Sequence, residues 1–95
     1  MKQPSHPGRV LKNLYIEPSG SSTYRLARDL GVPRTRIERL VKEKTSMTVD
    51  TAIRLARRFS TSPAFWLNMQ TNYDLSQACI DVSHIEPLET AEKFR

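Results

Sequence analysis

Three arginines stand close together in the string GVPRTRIERLVKEK, which begins at Gly31. Arg34, Arg36 and Arg39 each carry a planar guanidinium with several N–H donors. This fork matches the O6/N7 edge of guanine and also the oxygens of phosphate. The residue types therefore indicate nucleic-acid recognition, provided that a rigid element holds the side chains outward.

The residues around the arginines predict such an element. LARDLGVPRTRIERLV contains two apolar patterns of helical spacing with a glycine between them, which is typical of a helix-turn-helix. Ala27 supplies the small side chain needed where the helices cross, and Gly31 adopts the positive φ of the turn at little cost. Val32 fits beneath the turn, and Ile37 and Leu40 anchor the second helix to the core.

Helical geometry then assigns the outward face of the second helix. The residues expected to enter the major groove and contact base edges are Arg34, Thr35, Glu38 and Arg39. The basic residues beside that face, expected to bind phosphate, are Arg36, Lys42 and Lys44. Thr23 begins the preceding helix, where backbone N–H groups meet phosphate. A charged, solvated helix in an ordinary bundle is the alternative, and charge alone does not exclude it.

Charge is distributed unevenly along the 95 residues. The net charge is +5, and residues 1–60 carry thirteen lysines and arginines against five carboxylates, whereas residues 61–95 carry two against five. A basic half favours a polyanionic partner. The acidic end, from Asp81 to Glu92, could contact a basic protein or could simply aid solubility.

Proline, glycine and hydroxyl residues predict where the helices begin and end. Pro7 begins the first helix, and Pro18 disfavours helix at the residue before it. The second helix is expected from Thr23 to Leu30 with Ser21 or Ser22 as its cap, and Pro33 opens the third. The apolar residues at helical spacing in the first helix are Val10, Leu11, Leu14 and Tyr15.

Two further helices complete the prediction. Thr48 caps the fourth helix, and Ser62 caps a fifth that runs from Pro63 to about Ala78. The expected buried stripe of the fourth helix consists of Val49, Ala52, Ile53, Ala56 and Phe59. We therefore predict an all-α fold of five helices, with residues 1–78 as the helix-turn-helix domain and residues 79–95 as an extended or partly ordered tail.

The aromatic string PAFWLNMQTNYDL in the fifth helix has two readings. Aromatic stripes usually pack in a core, and Phe65, Trp66 and Met69 fit that role. The helix and the segment after it could also form a dimer seam, for which the expected residues are Trp66, Gln70, Tyr73 and Leu75. A dimer is expected on physical grounds, because two helix-turn-helix units one turn apart on a palindrome double the base contacts.

Other functions find little support in the sequence. Cys79 is the single cysteine, and the two histidines, His6 and His84, lie far apart, so we expect no disulfide within the chain, no metal site and no cofactor. The serines and threonines fall at caps and turns, and no catalytic constellation is present, so we expect no enzyme. The absence of a membrane span or an apolar leader favours a cytoplasmic protein.

Four strings carry a resemblance to a known family: HPGRVLKNLYIEP, LARDLGVPRTRIERLV, TVDTAIRLARRF and TSPAFWLNMQTNYDL. Together they resemble the HigA-type antitoxins, also called the VapI or addiction-module antidote family, which are relatives of the phage-repressor helix-turn-helix proteins. The resemblance covers His6 to about Leu75. It implies a homodimer that binds a palindromic operator in double-stranded DNA, represses its own operon and neutralises a HigB-like toxin, a small RNase.

Two alternatives remain open at this stage. The chain could be a stand-alone phage-type repressor without a toxin partner, or a protein-interaction module that never meets DNA. A stoichiometric complex with a toxin would exclude the first, and a gel shift on promoter DNA would exclude the second.

Overall fold

The computed structural model describes residues 3–88, which form five α-helices in a small bundle. The helices are α1 (Pro7–Val10), α2 (Thr23–Leu30), α3 (Arg34–Val41), α4 (Val49–Phe59) and α5 (Pro63–Gln77), and a π-helical segment, Leu11–Ile16, continues α1. No helix among these residues is long and apolar enough to cross a bilayer. The all-α, five-helix prediction is confirmed.

The first helix departs from the predicted apolar spacing. Its hydrogen bonds widen to a five-residue register, as when Glu17 N–H donates to the carbonyl of Lys12 at 3.0 Å. Leu11 and Ile16, five residues apart, are therefore the buried pair, and Leu14 is 66% exposed. Leu14 therefore does not share the buried side of this segment with Leu11, because the helical spacing found in the sequence assumed the 3.6-residue period of an α-helix.

The HPG string fixes where this first helix starts and what it rests on. His6 Nδ1 accepts a hydrogen bond from Gly8 N–H at 2.9 Å, and Pro7 takes the first helical position. Gly8 lies directly against the carbonyl group of Leu40, in the last turn of α3. A methyl group at position 8 would overlap that carbonyl oxygen and stand 2.7 Å from its carbon, so only glycine lets α1 approach α3 this closely.

The α2–turn–α3 unit matches its prediction closely. Ser22 Oγ accepts from Arg25 N–H at 3.1 Å at the start of α2. Gly31 ends α2 in the left-handed conformation, with φ 72°. Val32 N–H then donates to the Ala27 carbonyl, which closes the turn before Pro33.

The fourth helix begins as predicted but turns a different face to the core than the sequence predicts. Thr48 caps it by accepting from Thr51 N–H at 3.3 Å. Its buried face consists of Thr51, Ala52, Leu55 and Ala56. Val49 and Ile53 are exposed instead, so their place in the predicted stripe is wrong. Thr51 can face inward because its hydroxyl forms a hydrogen bond with that of Thr48.

The fifth helix has a packed first half and an uncovered end. Ser62 caps it, and the fully buried Trp66 donates from Nε1 to Thr61 Oγ1 at 2.8 Å. Beyond Gln77 the chain continues as an arm, residues 78–88, in which every described residue is exposed. Residues 89–95 of the predicted tail, including Glu89 and Glu92, lie outside the described part of the chain.

Candidate nucleic-acid interface

Helix α3 is held by one side and solvated on the other. Ile37 is fully buried and Leu40 nearly so, whereas Arg34, Thr35 and Arg39 are exposed. This arrangement agrees with the outward face expected from the sequence, since residues on opposite sides of a helix cannot share one environment. The exposed side chains of α3 on this side are polar and mainly cationic.

Arg34 is restrained within this surface by two neighbours. Its Nε donates to Glu38 Oε2 at 2.7 Å, one turn along the same helix. Its Cζ lies 5.9 Å from the ring centroid of Tyr24, the second residue of α2. Glu38 is half-buried, so this residue is less available at the surface than Arg34.

Arg36 belongs to a different network, which joins three helices. Its Nη1 donates to Asp50 Oδ2, and Arg54 Nε donates to the same oxygen at 3.0 Å. Arg54 Nη1 also donates to the carbonyl of Leu30 at the end of α2, at 2.8 Å. The hydrogen bond from Arg36, followed by that from Arg54, holds the pKa of the Asp50 carboxyl below its usual value. Sequence reasoning placed Arg36 among the phosphate ligands and missed this contact with α4.

The remaining predicted phosphate ligands lie near the ends of the unit. Lys42 and Lys44 follow α3 and are exposed, and Thr23 is half-buried at the start of α2. Within residues 3–88, neither lysine has a carboxylate at ion-pair distance. The turn that carries the two lysines is joined to α1, because Arg9 Nε donates to Glu43 Oε2 at 3.3 Å.

A cleft of about 370 Å³ lies beside the exposed, cationic face of α3, between α3 and the start of α4. Its lining includes the ion pair of Arg36 and Asp50, together with Arg39 and the hydroxyls of Thr35, Thr45, Ser46 and Thr48. Hydroxyls and a guanidinium can all donate to phosphate oxygens. Thr45 and Ser46 were not predicted, although two hydroxyl residues in the turn that follows α3 are a signal that could have identified them.

The expected dimer residues divide into two pairs. Trp66 is inside the protomer, and the buried Gln70 accepts from Met47 N–H at 2.7 Å and donates to Asp74. These two side chains belong to the core, which corrects their assignment to a seam. Tyr73 is half-buried with its ring edge against His6, centroids 5.1 Å apart, and Leu75 is 69% exposed.

Metal binding finds no support among residues 3–88, where no three histidine, cysteine, aspartate or glutamate side chains converge. The Nδ1 atom of His6 is already an acceptor for the α1 cap. Cys79 and His84 both lie in the exposed arm.

Comparison with known proteins identifies several relatives. Virulence-associated protein I of Dichelobacter nodosus is 44% identical over 90% of this chain and 82% of its own length. Antitoxin HigA-1 of Vibrio cholerae is 35% identical over 78% of this chain and 70% of its own length. A comparison with models of protein families gives no match.

A solved structure extends the likeness to the fold. PA4674 from Pseudomonas aeruginosa, in complex with its operator DNA, is 38% identical with a TM-score of 0.83, covering 90% of this chain and 99% of that one. The prediction that this chain is not an enzyme is confirmed, since antitoxins and operator-bound regulators are binding proteins.

Proposed function

The chain belongs to the HigA-type family of helix-turn-helix antitoxins, and on that premise we propose that it is an antitoxin that represses its own operon as a dimer. It binds a palindromic operator in double-stranded DNA in the cytoplasm and neutralises a small HigB-like RNase by protein–protein contact. The observation that carries the proposal is the outward, cationic face of α3, fixed from behind by Ile37 and Leu40.

Base reading is assigned to the exposed residues of that face. Arg34 stands at the N-terminal end of α3, the end that leads into the major groove in helix-turn-helix complexes. Thr35 and Arg39 lie beside it and are exposed. An arginine that pairs with O6 and N7 of guanine contributes about 1–3 kcal/mol of discrimination.

Phosphate binding is assigned to Lys42 and Lys44 after α3 and to Thr23 at the start of α2. Contacts of this kind add affinity with little dependence on sequence. Arg36 keeps a part in this group, but its guanidinium is already hydrogen-bonded to Asp50. Its larger contribution is to hold α3 at a fixed angle against α4.

The dimer is assigned to the end of α5 and the arm that follows. Tyr73 and Leu75 reach the protomer surface there, and Ile80 and Val82 continue the exposed apolar surface along the arm. Large apolar side chains gathered at one end of a small domain mark a protein interface. Residues 1–78 form the DNA-binding domain in this proposal, and residues 79–95 serve association.

The toxin contact is assigned to the acidic arm. Asp81 and Glu86 are its described carboxylates, and both are exposed. RNases that bind RNA need cationic surfaces, so opposite charge speeds the encounter.

Co-expression with the neighbouring reading frame, followed by purification and a gel shift on the shared promoter, tests both partners together. We expect a stoichiometric protein complex and a shifted promoter fragment. A shift without a co-purifying protein would favour the stand-alone repressor. No shift on any promoter fragment would overturn the DNA-binding proposal.

Matched substitutions test the division of labour on the same promoter. Arg34→Ala and Arg39→Ala should relax base preference, whereas Lys44→Ala should weaken binding to all sequences alike. If the three variants lose affinity evenly across sequences, the assignment of base readers and phosphate ligands is wrong.

A further inference from the structure

The three arginines of α3 differ in which guanidinium nitrogen forms an ion pair within the protein. Arg34 is bound through Nε by Glu38, whereas Arg36 is bound through the terminal Nη1 by Asp50. Arg39 has no carboxylate at ion-pair distance within residues 3–88. Only in Arg34, among these three, does an ion pair within residues 3–88 restrain the guanidinium through Nε, with neither terminal nitrogen used in it.

This difference determines what each side chain can offer a base. Guanine O6 and N7 accept two parallel N–H donors, which the guanidinium fork supplies. The Nε contact with Glu38 leaves the two terminal nitrogens for such a pair. The Arg34 Cζ also lies over the ring of Tyr24, from the other helix of the unit, at 5.9 Å from its centroid, and this cation–π contact further limits rotation of the guanidinium.

The carboxylate of Glu38 disfavours DNA binding from this position unless it supports Arg34. A carboxylate on a surface that approaches phosphate meets a polyanion of like charge. Its 2.7 Å ion pair with Arg34 offsets that repulsion. The carboxylate therefore acts best as a support for the guanidinium.

We propose that Glu38 and Tyr24 are positioning residues that orient Arg34 to read one guanine in each operator half-site. The proposal rests on the proposed function and deepens it. It replaces the expectation that Glu38 itself contacts a base, and it names the base that Arg34 selects.

A base-substitution panel provides the test. The probe is the duplex that wild-type protein enriches from a random library of about 30 base pairs, enough for two half-sites one helical turn apart. Dissociation constants are measured for all four bases at each position. We expect Arg34→Ala and Arg34→Lys to lose about tenfold or more in preference at one guanine, since lysine keeps the charge but lacks the fork.

The positioning role gives a distinct signature in the same panel. Glu38→Gln should reduce the preference at that same guanine, and in the Arg34→Ala background it should add nothing. Tyr24→Leu should reduce it as well, whereas Tyr24→Phe, which keeps the ring, should behave as wild type. Thermal unfolding of each variant separates these effects from loss of fold.

Three outcomes would overturn the proposal. If Glu38→Gln loses preference at a cytosine elsewhere, and does so equally with Ala at position 34, then Glu38 reads a base itself. If Glu38→Gln and Tyr24→Leu both keep full discrimination, Arg34 needs no support. If wild-type protein enriches no sequence from the library, the proposed function fails together with this inference. The first two outcomes overturn only the inference and leave the proposed function standing.

Discussion

The recognition unit, residues 23–41, and the carboxyl end, residues 73–88, treat their apolar side chains in opposite ways. In the recognition unit Leu26, Ile37 and Leu40 are buried, and the outer surface is charged. At the carboxyl end Leu75, Ile80 and Val82 are all more than half exposed. The first region buries its apolar side chains within one chain, and the second leaves them exposed.

This difference indicates which kind of partner each region suits. A solvated cationic surface is stable alone and gains a partner through phosphate and base contacts. Exposed apolar side chains are stabilised only when another apolar surface covers them. The recognition unit therefore suits nucleic acid, and the carboxyl end suits protein.

The boundary between the two regions falls within α5, and paired substitutions there give the largest expected effect. Trp66→Ala removes a fully buried side chain and should lower the free energy of unfolding by about 3–5 kcal/mol. Leu75→Ala should change it by about 0.5 kcal/mol or less in the monomer. Urea unfolding at low protein concentration compares them. Equal losses would show that α5 is packed along its whole length.

The contact behind the recognition helix has the next largest effect. Gly8→Ala forces a methyl group into the Leu40 carbonyl and should cost about 3 kcal/mol of stability. Gly20→Ala is the control, because no atom lies within 4 Å of the added Cβ and only its positive φ opposes the change. Its cost should be about 1 kcal/mol. If Gly8→Ala is the milder change in chemical unfolding, α1 does not rest on α3 as described.

Substitutions in the arm test whether the carboxyl end is an interface. Replacing Ile80 and Val82 together by serine should raise the dissociation constant of the dimer about tenfold or more, because each apolar side chain loses its burial. The exchange Ile80→Val with Val82→Ile keeps the apolar surface and should leave the dimer intact. Sedimentation equilibrium gives the constants. An unchanged dimer in the serine variant would place the interface elsewhere.

The Asp50 network gives the smallest expected effect and the only one that depends on pH. Hydrogen bonds from Arg36 and Arg54 lower the pKa of the folded carboxyl, so its contribution is present above the unfolded value of about 3.9 and is lost as pH falls through the folded value. Asp50→Asn should therefore lower the melting temperature at pH 7 and have progressively less effect in acid. A difference from wild type that grows in acid would contradict this sign.

The recognition unit could be predicted from sequence because its signals are local. Ser22, Gly31 and Pro33 act within one turn of their own positions, so their effect does not depend on distant packing. The same holds for the caps at Thr48 and Ser62, which the structure places as predicted.

The remaining features depend on contacts between elements. The exposure of Leu14 follows from the π-helical register, and the exposure of Val49 and Ile53 follows from how α4 is rotated against the core. Gln70 is buried because it bonds the backbone of Met47, twenty-three residues away, which no periodicity reveals. Arg36 cannot be told from the other arginines of α3 by sequence. What distinguishes it is the hydrogen bond to Asp50, which lies in another helix.

The ion pairs also limit what ionic strength can reveal about operator binding. Arg9, Arg34, Arg36, Arg54 and Arg58 each have a carboxylate partner on the protein itself. A side chain that its own carboxylate already neutralises displaces few of the counterions condensed on the duplex. If Lys42 and Lys44 of both protomers supply the phosphate contacts, the logarithm of affinity should fall with the logarithm of salt with a slope of roughly −4, far shallower than the number of basic residues suggests.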